Sequence, residues 1–182
     1  MKILAVLGSS KSGKTSTVEH LISQLTEKGF KIGSAKHVHH PDFTIDVEGK
    51  DTWRHAEAGA KRVVCVSEDE VAIIRQEKGH TYTVEELLKL FQDEEFDLIV
   101  LEGFHWLVSD SKDVVKIITA KDEEDAEKRL KGTRPPIIAI TGLVSNKKTV
   151  ESILGIPVID LRTDAARLVK IVMEQIRSQA AA

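Results

Sequence analysis

The sequence feature that most constrains the fold is a glycine-rich loop close to the amino terminus. Residues 8–15 have the sequence G-S-S-K-S-G-K-T, which fits the pattern G-x-x-x-x-G-K-[ST]. In such loops the small residues let successive backbone N–H groups point into one concavity that accepts phosphate oxygens. An apolar run of strand length precedes the loop at 2–7, and an apolar helical face follows it within 18–25. The sequence therefore predicts a strand, a phosphate-binding loop and a helix in that order.

The loop and the start of its helix supply the predicted contacts to a nucleotide. The Lys14 ammonium brings a positive charge to the outer phosphates, and the Thr15 hydroxyl is placed to hold Mg²⁺. The positive end of the helix dipole adds to this anion site. A Gly-Ser turn with no ligand is the alternative interpretation. The predicted phosphate-binding residues are Gly8, Ser9, Ser10, Lys11, Ser12, Gly13, Lys14 and Thr15.

Composition is that of an ordinary soluble protein. The 182 residues are 41% apolar and 30% charged, with a formal net charge of −3, so no general positive field exists for nucleic acid or an anionic membrane. No apolar run approaches the roughly 18 residues that cross a bilayer. Because the first strand is predicted to begin at residue 2, we expect no signal peptide. The single cysteine, Cys65, stands in the apolar run 63–66 and is expected to be a buried core residue. A single cysteine of this kind is typical of a protein in a reducing compartment. We therefore expect one cytoplasmic domain over 1–182.

Strand-like and helix-like segments alternate along the chain. This alternation predicts an α/β fold with a mostly parallel sheet. Together with the loop at 8–15, it leads us to expect a three-layer sandwich of the P-loop NTPase type. The polar link at 67–70 predicts that the strands on either side of it form an antiparallel hairpin. After the first strand, the predicted strands are 32–36, 63–66, 71–74, 96–101, 114–119, 137–140 and 158–161. The other predicted segments are a helix through 91 opened by a capping box at 83–86, a solvated helix or loop at 121–131, a terminal helix through 169–176 and a frayed end at 180–182.

The polar segment after the second predicted strand is the next candidate for function. Ligands of parallel sheets gather at the carboxyl ends of strands, and 36–55 follows such an end. Nucleotide hydrolases place here the mobile segment that senses the γ-phosphate and Mg²⁺. One interpretation assigns Asp51 or Thr52 to the metal or its water shell. A second assigns Lys36 and His37 to phosphate or substrate.

Histidines in the same segment allow a third interpretation. Closely spaced imidazoles can bind a transition metal directly, although no cysteine or full ligand set accompanies them. A polar surface loop with solvated histidines is the alternative. The cluster consists of His37, His39 and His40, with His55 further along the chain.

A second element of a nucleotide site is predicted where an apolar strand ends in a carboxylate. Residues 96–103 read F-D-L-I-V-L-E-G, which puts Glu102 at the carboxyl end of the strand. The usual residue there is an Asp that holds Mg²⁺ directly or through water. Asp97 lies at the other end, roughly 16 Å away at the rise of a strand, and is expected to cap the strand or a turn. We therefore assign the metal role to Glu102, and a strand-end carboxylate paired with a lysine is the alternative.

In this order the motifs resemble one known family, the molybdopterin-guanine dinucleotide biosynthesis protein B family (MobB). After the loop at 8–15 the chain has K-H-V-H-H at 36–40, G-K-D-T at 49–52, A-G-A at 58–60 and E-G-F at 102–104. The ordered combination is far rarer than the loop alone. The resemblance covers roughly the first 105 residues, and the C-terminal third matches only in its alternation of strands and helices.

The resemblance implies a GTP-binding accessory protein of molybdenum cofactor assembly. Such proteins act as homodimers, and the implied partner protein is the guanylyltransferase that joins GMP to molybdopterin. The implied activity is a slow, Mg²⁺-dependent GTPase in which Lys14, Asp51 and Glu102 are the catalytic candidates. Thr15, Asp51 and Glu102 are the implied metal ligands. The family's nucleotide contacts map by position onto Gly8, Ser9, Gly13, Lys14, Thr15 and Ser16.

Two departures from the family pattern affect the predicted contacts. His105 and Trp106 stand where the family often has a lysine after its E-G-F motif. The sequence 141–143 is T-G-L where the family often has a Ser-Asp pair, and Thr149 occupies the position of a guanine-reading Asp in 146–149. A threonine hydroxyl cannot replace the two acceptors of that carboxylate. Guanine recognition is therefore implied by the resemblance, with backbone carbonyls around Thr141 as the candidate contacts.

Three other functions use the same loop. A small-molecule kinase needs an acceptor pocket and usually an arginine-rich lid, whereas 121–134 mixes both signs of charge. A nickel-type metallochaperone GTPase would load metal on the histidine cluster. A non-enzymatic adaptor would bind nucleotide only to present a surface. No arginine stands at an obvious position to reach the phosphates, and Arg54 and Arg62 are candidates only.

Overall fold

The computed structural model consists of two compact units. The larger unit contains Met1–His37 and Tyr82–Ala182, and the smaller unit contains Val38–Thr81. The prediction of a single domain stays a prediction. Residues 147–149 and the predicted frayed end at 180–182 lie outside the described residues. The structure describes residues 2–40, 43–77, 79–146 and 150–178.

The elements alternate between strands and helices, as the sequence predicts. Helix α5 forms where a solvated helix or loop is predicted, and α3 begins at the predicted capping box, with Thr83 and Glu86 bonded in both directions. In chain order the elements are β1 (Lys2–Gly8), α1 (Lys14–Glu27), β2 (Ile32–Lys36), α2 (Asp51–Glu57), β3 (Arg62–Val66), β4 (Val71–Arg75), α3 (Val84–Lys89), β5 (Leu98–Glu102), α4 (His105–Val108), β6 (Val115–Thr119), α5 (Glu123–Lys131), β7 (Ile137–Thr141), a 3₁₀ turn (Leu143–Asn146), β8 (Ser152–Ile153), β9 (Ile156–Pro157) and α6 (Ala165–Arg177).

A five-stranded parallel sheet forms the centre of the larger unit. Its strand order is β2-β5-β1-β6-β7, so β1 is the middle strand. In the register, Val6 lies opposite Glu102 of β5, and Gly8 lies opposite Thr119 of β6. Because all five strands run the same way, their carboxyl ends meet at one edge of the sheet. The candidate site lies at this edge.

Helices cover both faces of this sheet, which confirms the predicted three-layer sandwich. Side chains of a strand alternate between faces. In β1, Leu4 and Val6 belong to a core cluster with α1 and α6, whereas Ala5 and Leu7 belong to a second cluster with α3, α4 and α5. All four side chains are buried. Both faces of the central strand are therefore apolar, as a buried parallel strand requires.

The predicted last strand at 158–161 is wrong in its position. The chain instead forms the short antiparallel pair β8 and β9, which is joined by a turn in which Leu154 and Gly155 have φ of 48° and 80°. After this pair, Val158 meets Ile140 of β7 in a single parallel bridge. Because of this tight turn, the residues that pair are 152–153 and 156–157, which precede the apolar run 158–161 on which the prediction was based.

In the smaller unit, β3 and β4 form the predicted antiparallel hairpin. The prediction that Cys65 is buried is wrong, because this thiol is exposed. A two-stranded ribbon covers much less of its own surface than a central strand does, so an apolar run there does not imply burial. Four apolar side chains on one face of the ribbon are between 53% and 70% exposed. This hairpin face consists of Val64, Val66, Val71 and Ile73, paired across the strands as Val64 with Ile73 and Val66 with Val71.

None of the helices in the described part of the chain is both long enough and apolar enough to cross a bilayer.

Lys116 lies within β6 and is fully buried. Its Nζ donates hydrogen bonds to the carbonyl oxygens of Ser111 and Val114, the latter at 2.9 Å, so the ammonium holds the loop that precedes the strand. Burial lowers the pKa of Lys116, nearby Arg134 adds to this shift, and two aspartates oppose it. The charged form is therefore less favourable in the folded state than in the unfolded chain.

We predict that Lys116 makes the free energy of unfolding rise with pH in the alkaline range. Between the lowered pKa and the ordinary value of 10.5, the unfolded state binds more protons than the folded state. In this window the stability increases with pH by at most about 1.4 kcal/mol per unit, and Lys116→Met removes this increase. Denaturant unfolding over a pH series measures it, with exposed Lys112→Met as control. An unchanged slope in Lys116→Met would contradict the prediction.

Candidate nucleotide-binding site

The glycine-rich loop connects β1 to α1 at the carboxyl edge of the sheet. Two of its residues, Lys11 with φ of 60° and Gly13 with φ of 104°, adopt left-handed conformations. Gly13 is the N-cap of α1, so the conformation that a glycine favours turns the chain into the helix. Ser10, Lys11, Thr15 and Ser16 are exposed, whereas Ser12 is buried.

Close backbone packing holds the loop against two neighbouring strand ends. A Cβ atom on Gly8 would overlap the carbonyl oxygen of Thr119 at the end of β6. A Cβ atom on Gly142, which follows β7 and has φ of 95°, would overlap the carbonyl oxygen of Ser12. The hydroxyls of Ser12 and Thr119 lie 2.6 Å apart, and Ser12 also donates to the Ser9 carbonyl at 2.9 Å. The loop therefore has a fixed shape set by β1, β6 and β7.

Lys14 lies folded over the loop. Its Nζ donates hydrogen bonds to the carbonyl oxygens of Gly8 at 3.1 Å and Ser9 at 2.6 Å. Burial lowers the pKa of Lys14, and Glu102 opposes this shift. The positive charge of the predicted phosphate-binding lysine is thus within the loop, bonded to backbone oxygens.

Thr15 and Glu102, the two residues that the motifs assign to Mg²⁺, lie in contact, and their assignment to a metal stays a prediction. The Thr15 hydroxyl donates to Oε1 of Glu102 at 2.9 Å, and the Lys36 ammonium lies 3.1 Å from the same oxygen. Glu102 is buried, and its side chain is only 9% exposed, against 56% for Lys36. Hydroxyl and carboxylate oxygens are the ligands that Mg²⁺ prefers, so this pair fits the ion. The alternative pairing of Glu102 with a lysine also occurs.

His37 follows β2 and continues its pairing with β5, since its N–H donates to the Glu102 carbonyl at 2.9 Å. Its ring lies 5.5 Å from the ring of Phe104 and 5.8 Å from the ring of Trp106. Trp106 stands at one of the departures from the family pattern and is 45% exposed. The predicted assignment of His37 to phosphate or substrate stays a prediction.

Other predicted residues of the 36–55 segment belong to the smaller unit. Asp51 begins α2 and is 3.7 Å from Arg54, with its side chain 90% exposed. The Thr52 hydroxyl donates to Asp46 at 3.0 Å. Their assignment to a metal stays a prediction. Across the residues that the structure describes, no group of three or more His, Cys, Asp or Glu side chains is arranged to hold a metal ion.

Thr141 ends β7 at the same edge of the sheet. Its hydroxyl is buried and has no hydrogen-bond partner among the described residues, and its carbonyl accepts from the Ala120 amide at 3.0 Å. A buried hydroxyl of this kind needs a partner such as water or a ligand. Its predicted contact with a nucleotide stays a prediction. At the opposite edge, Asp97 accepts from the Lys31 amide at 2.8 Å, which confirms the predicted capping role.

Two residues that contact the loop were missed by the sequence analysis. Thr119 ends β6, and the rule that ligands gather at strand ends could have indicated it. Asp125 of α5 accepts a hydrogen bond from the Ser9 hydroxyl at 2.8 Å. It stands in a charged run whose spacing carries no signal of a contact with the loop.

The fold and the loop together define the class of protein. A glycine-rich loop between β1 and α1, with β1 in the middle of a parallel sheet, is the arrangement of α/β proteins of the P-loop type.

Comparison with known sequences then gives the family. Residues 3–142 match the family described as Molybdopterin guanine dinucleotide synthesis protein B, MobB. This match covers most of the sequence, and the chain belongs to the MobB family. The resemblance predicted from the motifs is confirmed.

Relatives of this chain are known as sequences and as structures. A molybdopterin-guanine dinucleotide biosynthesis adapter protein of Haemophilus influenzae is 35% identical over 102 residues, which are 56% of this chain and 56% of that protein. The adapter protein of the same name from Escherichia coli is 29% identical over 121 residues, 66% of each chain. The chain thus spans less than two thirds of these relatives. The crystal structure of Bacillus subtilis MobB covers 98% of this chain and 100% of its own, with a TM-score of 0.75 at 24% identity, and shows the same fold.

We predict that Gly142→Ala destabilises the protein more than Gly155→Ala. Both glycines have positive φ, 95° and 80°, so an alanine is strained at either position. Only at Gly142 does the new Cβ meet backbone, the Ser12 carbonyl, whereas nothing lies within 4 Å at Gly155. The expected difference in the free energy of unfolding is at least about 1 kcal/mol. Denaturant unfolding measures it, and equal losses would show that the loop is not tightly packed on β7.

Proposed function

We propose that this chain binds GTP with Mg²⁺, hydrolyses it slowly, and acts as an adapter in the formation of molybdopterin guanine dinucleotide. One observation carries the proposal: the loop at Gly8 to Thr15 packs closely on the ends of β6 and β7, and the Lys14 ammonium is bonded to its carbonyl oxygens. A site built this way accepts the phosphates of a nucleotide. The names of the relatives support the biosynthetic role.

Phosphate binding in this proposal uses the loop amides and Lys14. The ammonium now bonded to the Gly8 and Ser9 carbonyls would exchange these acceptors for oxygens of the outer phosphates. Phosphate oxygens carry negative charge and the two carbonyl oxygens do not, so the Coulomb attraction of the ammonium for phosphate favours the exchange. The dipole of α1 adds to the attraction, because the helix begins at Lys14.

Thr15 and Glu102 would hold Mg²⁺, since their oxygens already converge. The ion would neutralise charge on the phosphates when bound. The Lys36 ammonium beside Glu102 keeps this buried carboxylate compensated by a positive charge. Asp51 is proposed as a further residue near the metal and γ-phosphate on the strength of the family motif alone.

Guanine recognition, the partner protein and the location in the cell rest on family membership. The Thr141 hydroxyl, buried and without a partner among the described residues, supports a contact at the end of β7. The proposed partner is the guanylyltransferase that joins GMP to molybdopterin. The proposed location is the cytoplasm, where this reaction would supply the cofactor.

A homodimer is also proposed, and the hairpin face is its proposed surface. This face is made of four β-branched apolar side chains that are exposed in the single chain. Burial of such side chains against a second copy is favourable, at about 25 cal/mol for each Å² of apolar surface. Continuous exposed apolar patches often mark protein–protein contacts.

We predict that Lys14→Ala weakens GTP binding at least tenfold and abolishes phosphate release. The variant removes the ammonium that is bonded to the Gly8 and Ser9 carbonyls and leaves the backbone amides in place. Calorimetric titration with GTP, ATP and their non-hydrolysable analogues, each with and without Mg²⁺, measures the affinity of the site, its preference between the two bases and its dependence on the metal. An assay of released phosphate measures hydrolysis. Lys28→Ala, at the other end of α1, is the control. Unchanged GTP binding by Lys14→Ala would refute the assignment.

We predict that Ile73→Asp converts a dimer into a monomer, because a charge is placed in the centre of an apolar contact. Ala72→Asp is the matched control, since Ala72 is the preceding residue of β4 and is exposed on the opposite face. Sedimentation velocity over a range of protein concentrations measures the mass. A monomeric wild type would contradict the homodimer, and a dimer retained in Ile73→Asp would exclude the hairpin face as its surface.

A further inference from the structure

Asp125 connects α5 to the phosphate-binding loop. Its Oδ2 accepts hydrogen bonds from the Ser9 hydroxyl at 2.8 Å and from the Lys121 amide at 3.1 Å, and only 17% of its side chain is exposed. Ser9 is also the residue whose carbonyl accepts the shorter bond from Lys14. A carboxylate therefore stands beside the end of the loop where the lysine lies. Such a charge opposes the approach of a phosphate unless a cation accompanies it.

Arg129 supplies that cation. It lies one helical turn after Asp125, with its Nε 3.4 Å from Oδ1 of the carboxylate. In the described part of the chain this is the only hydrogen bond of the Arg129 side chain, so its two terminal nitrogens have no such partner there. The side chain is 30% exposed. Arginine prefers to bind oxyanions through two parallel N–H groups, and one long contact leaves this fork available.

The charge of Arg129 affects the pKa values of two residues at the site. Burial is the main cause that lowers the pKa of Lys14, and Arg129 lowers it further, while Glu102 acts in the opposite direction. The pKa of His105 is lowered in the same way, first by burial and then by Arg129. The Arg129 charge thus acts on both the loop lysine and the start of α4.

We propose that Arg129 is a further phosphate-binding residue of this site, held beside the loop by Asp125, and that it contacts the outermost phosphate of a bound triphosphate. Asp125 is then a positioning residue that holds Ser9 with one oxygen and Arg129 with the other. A phosphate offers the guanidinium two acceptors in place of one distant carboxylate oxygen. The outermost phosphate is the target because Lys14, which serves the outer phosphates, lies over Gly8 and Ser9.

This inference rests on the proposed GTP binding and is tested by titrating GTP and GDP, with Mg²⁺, into the full chain and its Arg129→Gln variant. Loss of a charge-assisted contact to the outermost phosphate is expected to weaken GTP binding roughly tenfold and GDP binding less than about threefold. The matched control is Lys131→Gln, which removes the other ion pair with i,i+4 spacing on α5, Glu127 with Lys131 at 3.3 Å. The control is expected to change neither affinity. Equal losses for GTP and GDP in Arg129→Gln would overturn the proposal.

A double variant separates a phosphate contact from simple neutralisation of Asp125. In Asp125→Asn the amide oxygen still accepts from Ser9, but the negative charge is gone. If Arg129 only neutralises Asp125, the double variant Asp125→Asn with Arg129→Gln regains wild-type GTP affinity, and the proposal is overturned. If Arg129 contacts phosphate, the double variant binds GTP at least about fivefold more weakly than Asp125→Asn alone.

The wild-type titration separates failure of this proposal from failure of the proposed function. Absence of GTP binding by the wild-type chain overturns both. GTP binding by the wild type that is unaffected by Arg129→Gln overturns only the role of Arg129. Circular dichroism and thermal unfolding of each variant establish that a change in affinity does not arise from loss of the fold.

Discussion

The pairing of β1 with its two parallel neighbours is the interaction on which the site depends. It fixes Val6 opposite Glu102 and Gly8 opposite Thr119, so that the loop, the carboxylate and the hydroxyl arrive at one edge. A slip of one residue would move a partner by about 3.3 Å and turn its side chain to the other face. Because β1 is buried on both faces by two apolar clusters, such a slip would also disturb both cores. Packing far from the loop thus determines its chemistry.

Three cationic side chains at this edge already have partners within the chain. Lys14 is bonded to backbone carbonyls, Lys36 faces Glu102, and Arg129 faces Asp125. An incoming anion must therefore compete with existing contacts, and its affinity reflects the difference between the two sets. The partly buried carboxylates make this balance sensitive, because charges interact more strongly where water is excluded. Thr15 and Lys36 share Oε1 of Glu102, so a ligand that displaces one of these contacts also alters the other.

Local patterns were sufficient to predict the loop, the parallel sheet and most helices. The signals were a specific motif, apolar runs of strand length and a capping box at Thr83, all of which act over a few residues. Contacts between distant segments left no such signal. Asp125 reaches Ser9 across 116 positions, and nothing in its charged surroundings distinguishes it from a solvated residue. The prediction that Cys65 is buried was wrong for a related reason. Burial depends on what covers a strand and not on the apolar residues beside it in the sequence.

The fold of Lys14 over the Gly8 and Ser9 carbonyls has a consequence for the energetics of ligand capture. The Lys14 ammonium bridges these two oxygens and so restrains the turn before a ligand binds. The conformational entropy of the loop is then lost once, when the chain folds. It does not reduce the free energy of binding each time a ligand associates. Under the proposed function, release of a nucleotide would let Lys14 return to the same two carbonyls, so the turn would keep its shape between binding events.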